Sequence, residues 1–143
     1  MNDRRYVLDA SALLCLLFQE PGADRVEEVL DTAVMSAMNY AEVVAKLADR
    51  GVPPEVLDHD LADLDLTIFP VDRELAEKAG RIGAGPARSG LAVGDRICLA
   101  LAQRRGAVVL TADRGWAAIA AGIGVEVEVL RPANRGVTNR PAT

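Results

Sequence analysis

The sequence predicts an α/β fold: a three-layer α/β/α sandwich around a central, mainly parallel sheet. Three observations point there. Short apolar runs of strand length alternate with segments of helical period along the whole chain. Strands separated by helices pair in parallel through right-handed crossovers, which cover both sheet faces. A chain of 143 residues forms one ordinary domain with a single core.

The first strand is the apolar run Tyr6-Val7-Leu8, which ends at Asp9. Residues 11–18 read as a buried, leucine-rich helix, so Asp9 stands at a strand-to-helix junction. Residues 23–32 alternate apolar and charged positions at helical spacing, and Val34-Met35 forms a brief strand. An amphipathic helix is expected over residues 39–50, stopped by Gly51, with Glu42 in its first turn. After Val52-Pro53-Pro54 comes a helix to about Leu64, then a strand over residues 66–69 and a helix over 73–82. Residues 83–94 hold four glycines and one proline and read as a flexible loop. That loop feeds a nearly all-apolar helix over residues 93–103, which Asp95 opens. Residues 108–110 form a buried strand followed by Thr111-Ala112-Asp113, a short helix starts near Trp116, and residues 125–130 form the last strand. The domain therefore spans residues 1–130, and residues 131–143 read as a flexible tail.

Half of the residues are apolar and 26% are charged, the balance of a globular protein, and no apolar run reaches membrane-spanning length. The N-terminal residues lack a small-residue cleavage site, so no secretory signal is expected and the cytoplasm is the default compartment. Cys15 and Cys98 sit within apolar helical patterns, without Cys or His at metal-ligand spacing, and read as core thiols. A net charge of −5 runs against nucleic-acid binding, which ordinarily needs a basic face. Setting four acids aside as metal ligands takes −5 to −1, and bound divalent cations would turn that face positive.

Those four acids are Asp9, Glu42, Asp95 and Asp113. Each has an ordinary structural explanation. Asp9 is placed to cap the following helix, Asn39-Tyr-Ala-Glu42 resembles a capping box, and Asp95 and Asp113 occupy helix starts favoured by the macrodipole. Their combination is harder to explain that way. Asp9 and Asp113 both follow strands, and ligands of parallel sheets bind beyond the carboxyl ends of strands. Asp95 precedes Ile97-Cys98-Leu99-Ala100-Leu101, where an unpaired carboxylate is costly to bury, so a cation is expected beside it. Arg96 and Arg114 adjoin two of the acids and are candidates for salt bridges, as is a hard divalent cation, which prefers oxygen ligands. Such an ion activates water and offsets the charge of in-line displacement at phosphorus.

Val7-Leu8-Asp9-Ala10-Ser11-Ala12, Asn39-Tyr40-Ala41-Glu42-Val43, Gly94-Asp95-Arg96 and Leu110-Thr111-Ala112-Asp113-Arg114 together resemble the PIN-domain signature, especially that of VapC-type toxins of bacterial toxin–antitoxin modules. The resemblance covers about residues 5–130, and the order and separation of the four segments are more specific than any one of them. It implies a ribonuclease in which Asp9, Glu42, Asp95 and Asp113 bind Mg²⁺ or Mn²⁺ and a water is the nucleophile. It implies Ser11, Asn39 and Thr111 as polar supports, a homodimer, and a VapB-type antitoxin whose tail enters the acidic groove. One departure concerns a further acid, which many members carry two residues after the position of Asp113; Gly115 stands here.

Other chemistries fit less well. An aspartate-based phosphatase would use Asp9 as nucleophile, but Asp9-Ala-Ser lacks the second acid of the usual Asp-x-Asp pattern. A phosphoacceptor would want a late lysine, and Lys46 and Lys78 are the only lysines. A catalytically inactive PIN-fold module that binds RNA or protein is the remaining alternative, and the presence of all four acids argues against it. His59 lies in the polar run Asp58-His59-Asp60 and has no nucleophile to serve. The glycine loop lacks the Gly-Lys-Ser/Thr of a phosphate loop. Arginine supplies 14 of 16 basic residues, and Arg88, Arg96 and Arg114, beside the acidic segments, are the candidate RNA contacts. Five aromatic residues are too few for a stacking platform, so Tyr40 and Trp116 are expected to pack in the core or a dimer interface rather than under bases.

Overall fold

The computed structural model describes residues 4–84 and 90–130. Five strands, β1 (Tyr6–Leu8), β2 (Ala33–Ser36), β3 (Thr67–Phe69), β4 (Val108–Thr111) and β5 (Val127–Val129), form one sheet in the order β3-β2-β1-β4-β5. Every neighbouring pair is parallel; Val7 aligns with Val34 on one side and Val109 on the other. The chain moves outward from β1 to β3, then returns to add β4 on the opposite side of β1. The strand order thus reverses between β1 and β4, where connections leaving adjacent strands part and open a crevice at the carboxyl rim.

Alternation along the strands fills two cores. Tyr6 and Leu8, Met35, and Val108 and Leu110 face α1 (Ala10–Leu17), α2 (Ala23–Val29), α3 (Ala37–Asp49) and α4 (Pro54–Ala62). Val7, Val34 and Val109 face the other way, onto α5 (Arg73–Arg81), α6 (Val93–Arg105) and α7 (Ala117–Gly122). This period-two split follows from the pleat, and β1 and β4, buried on both faces, are accordingly apolar up to Thr111 at the end of β4. Cys15 and Cys98 are buried free thiols, one in each core.

The sandwich and the order of elements match the sequence reading, and several boundaries move. The segment expected as one helix over residues 23–32 breaks into α2 and a 3-10 turn, Leu30–Thr32. α3 begins earlier than expected because Ser36, the last residue of β2, caps it: its hydroxyl accepts the Asn39 N–H at 3.0 Å. Glu42 therefore lies in the second turn of α3, and the box expected between Asn39 and Glu42 is not an N-cap. Asp113 does not open a helix either; it sits in the turn after β4, and α7 begins four residues later. α6 runs to Arg105 and ends on Gly106, whose φ of 62° is the left-handed conformation that closes a helix. Residues 131–143, expected as a flexible tail, and residues 85–89 of the expected glycine loop lie outside the described residues.

α6 is the central support of the second layer: Ile97 to Ala102 are buried without a gap, and it packs against α5, β1, β2 and β4. Leu99 has no exposed surface. Leu99→Ala is expected to lower stability by about 3 kcal/mol through lost burial and the cavity left behind, measured as a shift of the urea midpoint at unchanged slope.

Candidate active site

The site forms where β1 and β4 end. Asp9 follows Leu8 directly and its backbone N–H donates to the Leu110 carbonyl at 3.3 Å, which extends the β1–β4 pairing by one residue. Extended backbone at Asp9 (φ −88°, ψ 177°) makes it the N-cap of α1, and Oδ1 accepts the Ala12 N–H at 2.9 Å. The ordinary capping role is therefore real, yet it occupies only part of a carboxylate with about four acceptor sites. The Ser11 hydroxyl donates to the same oxygen at 2.7 Å, and the Thr111 hydroxyl donates to Oδ2 at 2.5 Å. Each hydroxyl also accepts from the loop after β4: Ser11 Oγ from the Ala112 N–H at 2.9 Å, Thr111 Oγ1 from the Asp113 N–H at 3.0 Å. Ser11 and Thr111 thus fix Asp9 and the Asp113 turn to one another.

Glu42 is placed by a second network. The Asn39 amide donates to Glu42 Oε1 at 2.9 Å and to the Gly94 carbonyl at 3.1 Å, while Asn39 Oδ1 accepts the Ser36 hydroxyl at 2.8 Å. One buried amide thereby ties α3 to the start of α6 and aims Glu42 across it. The approach is so close that a Cβ on Gly94 would stand 2.5 Å from Glu42 Oε2. Asp95, the next residue, returns Oδ2 to the Ala92 N–H at 3.3 Å, an acid in the first turn of a helix. It is half-buried, not enclosed by the apolar residues that follow it, so the expected deep burial of Asp95 is not observed. Periodicity explains this: a residue in the first turn of α6 faces the rim, and the following turns face the core. Asp113 is exposed, and its Oδ1 accepts the Gly115 N–H at 2.7 Å.

All four acids line one pocket of about 490 Å³, together with Ser11, Asn39, Ala10, Leu14, Ala45, Lys46 and Asp49. None of the four makes an ion pair among the described residues. Burial pushes the Asp9 carboxyl up to about 6 against the hydrogen bonds from Thr111, Ser11 and Ala12, and the charge of Asp95 adds to the rise. Asp95 is raised by burial, opposed by the Ala92 N–H and reinforced by Asp113 and Glu42. The buried Cys98 thiol lies beneath and is held protonated by desolvation, with Asp9, Asp95 and Glu42 contributing. The pocket is a concentration of negative charge in which, among the described residues, Lys46 is the one cation and pairs with none of the four acids.

The arginines expected to supply cations do otherwise. The Arg96 guanidinium donates to the Leu91 and Gly80 carbonyls at 3.2 Å each, which links α6 to the end of α5. Arg114 is exposed and pairs with no acid among the described residues, and Arg88 lies outside them. Trp116 is buried in the second core and Tyr40 packs half-buried against the first, as their expected packing roles require. His59 projects to solvent on α4 beside Asp60 and Asp63. Three contributors went unnoticed in sequence: Ser36 as cap, Gly94 as the gap for Glu42, and Lys46. A serine at a strand end, a glycine before Asp95 and a lysine four residues after Glu42 were the available signals.

The sequence profile of the PIN domain family matches residues 6–122, most of the chain. The chain belongs to the PIN domain family. Solved structures agree with this PIN domain in fold. A DNA-bound VapBC from Salmonella typhimurium matches with a TM-score of 0.67 at 21% identity, over 88% of this chain and 98% of that one. FitAcB from Neisseria gonorrhoeae matches at 0.66 and 21%, over 85% and 95%. VapBC-5 from Mycobacterium tuberculosis, a member of the VapBC family of toxin–antitoxin systems, matches at 0.56 and 25%, over 89% and 98%. No curated protein sequence matched. No helix among the described residues of this PIN domain is long and apolar enough to cross a membrane.

A raised Asp9 pKa means that the folded chain keeps a proton that the unfolded chain, with an ordinary value of 3.8, has already lost. Between about pH 4 and pH 6 the metal-free protein should therefore lose stability as pH rises, by about 3 kcal/mol from this group. Asp9→Asn should remove that slope and be the more stable form at neutral pH. Urea denaturation in chelator across this range, both proteins side by side, is the check; parallel curves would refute the assignment.

Proposed function

We propose that this PIN domain is a Mg²⁺-dependent endoribonuclease, the toxin of a VapBC-type toxin–antitoxin pair. The observation that carries the reading is the convergence of Asp9, Glu42, Asp95 and Asp113 on one pocket at the sheet's reversal point, with no protein cation paired to them among the described residues. A divalent cation is the counter-ion that suits carboxylates gathered in this way.

The donor set suits a hard cation, since every candidate ligand is an oxygen. Among the described residues no three Asp, Glu, His or Cys side chains are placed to hold an ion as they stand. The fit is therefore to a hydrated ion, bound through one or two carboxylates and otherwise through water, as Mg²⁺ prefers; Mn²⁺ would serve the same donors. When bound, such an ion supplies a water of lowered pKa and positive charge for the pentacoordinate phosphorus.

The chain's own residues do the rest. Thr111, Ser11 and the Ala12 N–H lock Asp9 in one orientation, and Asn39 locks Glu42, so the carboxylates meet substrate without reorganising. With both Asp9 oxygens accepting hydrogen bonds, its carboxylate is kept for ligation and not for attack on phosphorus, which disfavours the phosphatase alternative. Gly115 in place of a further acid leaves Asp113 alone on its turn, which favours one tightly held ion over two.

An RNA substrate, a homodimer, a VapB-type antitoxin and a cytoplasmic site of action belong to the same proposal; the family and the likeness to VapBC toxin–antitoxin structures support the antitoxin. Purified protein should cut bacterial RNA at few positions with Mg²⁺ and at none in chelator, and Asp95→Asn should lose at least about a hundredfold in rate with its fold intact. Absence of cuts with any divalent cation would leave an inactive binding module as the better reading. Gly94→Ala forces Glu42 aside and should cut the rate by about tenfold while circular dichroism stays unchanged; full activity would free Glu42 from the site.

A further inference from the structure

The pocket extends past the carboxylates along α3, to Ala45, Lys46 and Asp49, and Leu14 of α1 also lines it. Lys46 is the one cationic side chain among its described lining residues. Glu followed by Lys four residues on is the order that favours an ion pair on a helix. Yet among the described residues Lys46 pairs neither with Glu42 nor with Asp49. Glu42 is held instead by Asn39 and lies against Gly94, which leaves the exposed ammonium available in the groove.

We propose that Lys46 forms a second phosphate subsite, which holds the RNA phosphate next to the one being cleaved. The inference rests on the nuclease reading of the acidic centre and adds a requirement to it: a strand, not an isolated phosphodiester. Four residues of helix place Lys46 about 6 Å along α3 from Glu42, on the scale of one nucleotide step. A lysine contributes a point charge without the planar fork of arginine, so it attracts a phosphate and carries no base information. The apolar lining from Ala10, Leu14 and Ala45 offers no side-chain donors for reading a base either. Asp49, one turn further, is repulsive to the strand and limits this positive site to a single phosphate.

The test uses a fluorescent single-stranded RNA, Mg²⁺ and the Asp95→Asn protein as the binding-competent, non-cleaving parent. Adding Lys46→Ala should weaken binding about three- to tenfold and reduce the slope of log affinity against log salt by about 0.7. Lys46→Arg should restore both, because the charge is what matters. In the otherwise native protein, Lys46→Ala should raise KM for RNA with little change in kcat. Unchanged affinity and slope in Lys46→Ala, or a loss that Lys46→Arg does not restore, would overturn the subsite while the nuclease reading stands. No RNA binding by the parent would overturn the subsite, and cleavage of RNA by the native protein decides whether the nuclease reading falls with it.

Discussion

The convergence of four carboxylates on one pocket, with Asp9 buried among them, is the constraint around which this PIN domain is built. Four separate stretches of chain deliver them to one rim, and none is neutralised by a paired lysine or arginine among the described residues. Folding must therefore hold together groups that would separate if free. It does so with hydrogen bonds from neutral donors: two hydroxyls and a backbone N–H on Asp9, one amide on Glu42, single backbone N–H groups on Asp95 and Asp113. Neutral donors orient carboxylates without cancelling their charge, which is what a cation site requires and a salt bridge would defeat.

The parallel sheet makes this arrangement affordable in packing terms. β1 and β4 are buried on both faces and carry only apolar side chains until the last residue, so their register is fixed by two cores at once. Asp9, at 5% exposure, is the polar group that follows this frame most closely, and its elevated pKa reflects the cost of standing at the edge of a dry sheet. α6 has the reverse task. Its first turn presents Gly94 and Asp95 to the rim, and the rest anchors that turn in the second core.

A capping role and the proposed ligand role are compatible at Asp9 and at Asp95. A cap uses one or two lone pairs of a carboxylate, and the other lone pairs remain directed at the pocket. The helix starts also contribute positive dipole ends, which help carboxylates stay ionised in the absence of a cation. The two readings therefore support each other.

The sequence by itself determined the sandwich, the element order and the four candidate acids, because strand and helix periodicities are local and the acids lie at or near the starts and ends of those elements. It also placed Ser11, Asn39 and Thr111 beside those acids through their family motif. What it left undecided depends on contacts between distant segments. Ser36 displaced Asn39 as the cap because α3 starts directly after β2, at Ala37, two residues before the amphipathic pattern suggests. Arg96, adjacent to Asp95 in sequence, turned to the carbonyls of Leu91 and Gly80 because neighbours along a helix point in different directions. Lys46 entered the pocket and Gly94 came to lie against the Glu42 carboxylate only once α3 and α6 met at the rim. Tertiary structure decided these points, since side-chain direction and close approach arise from packing between elements and leave no period in the chain.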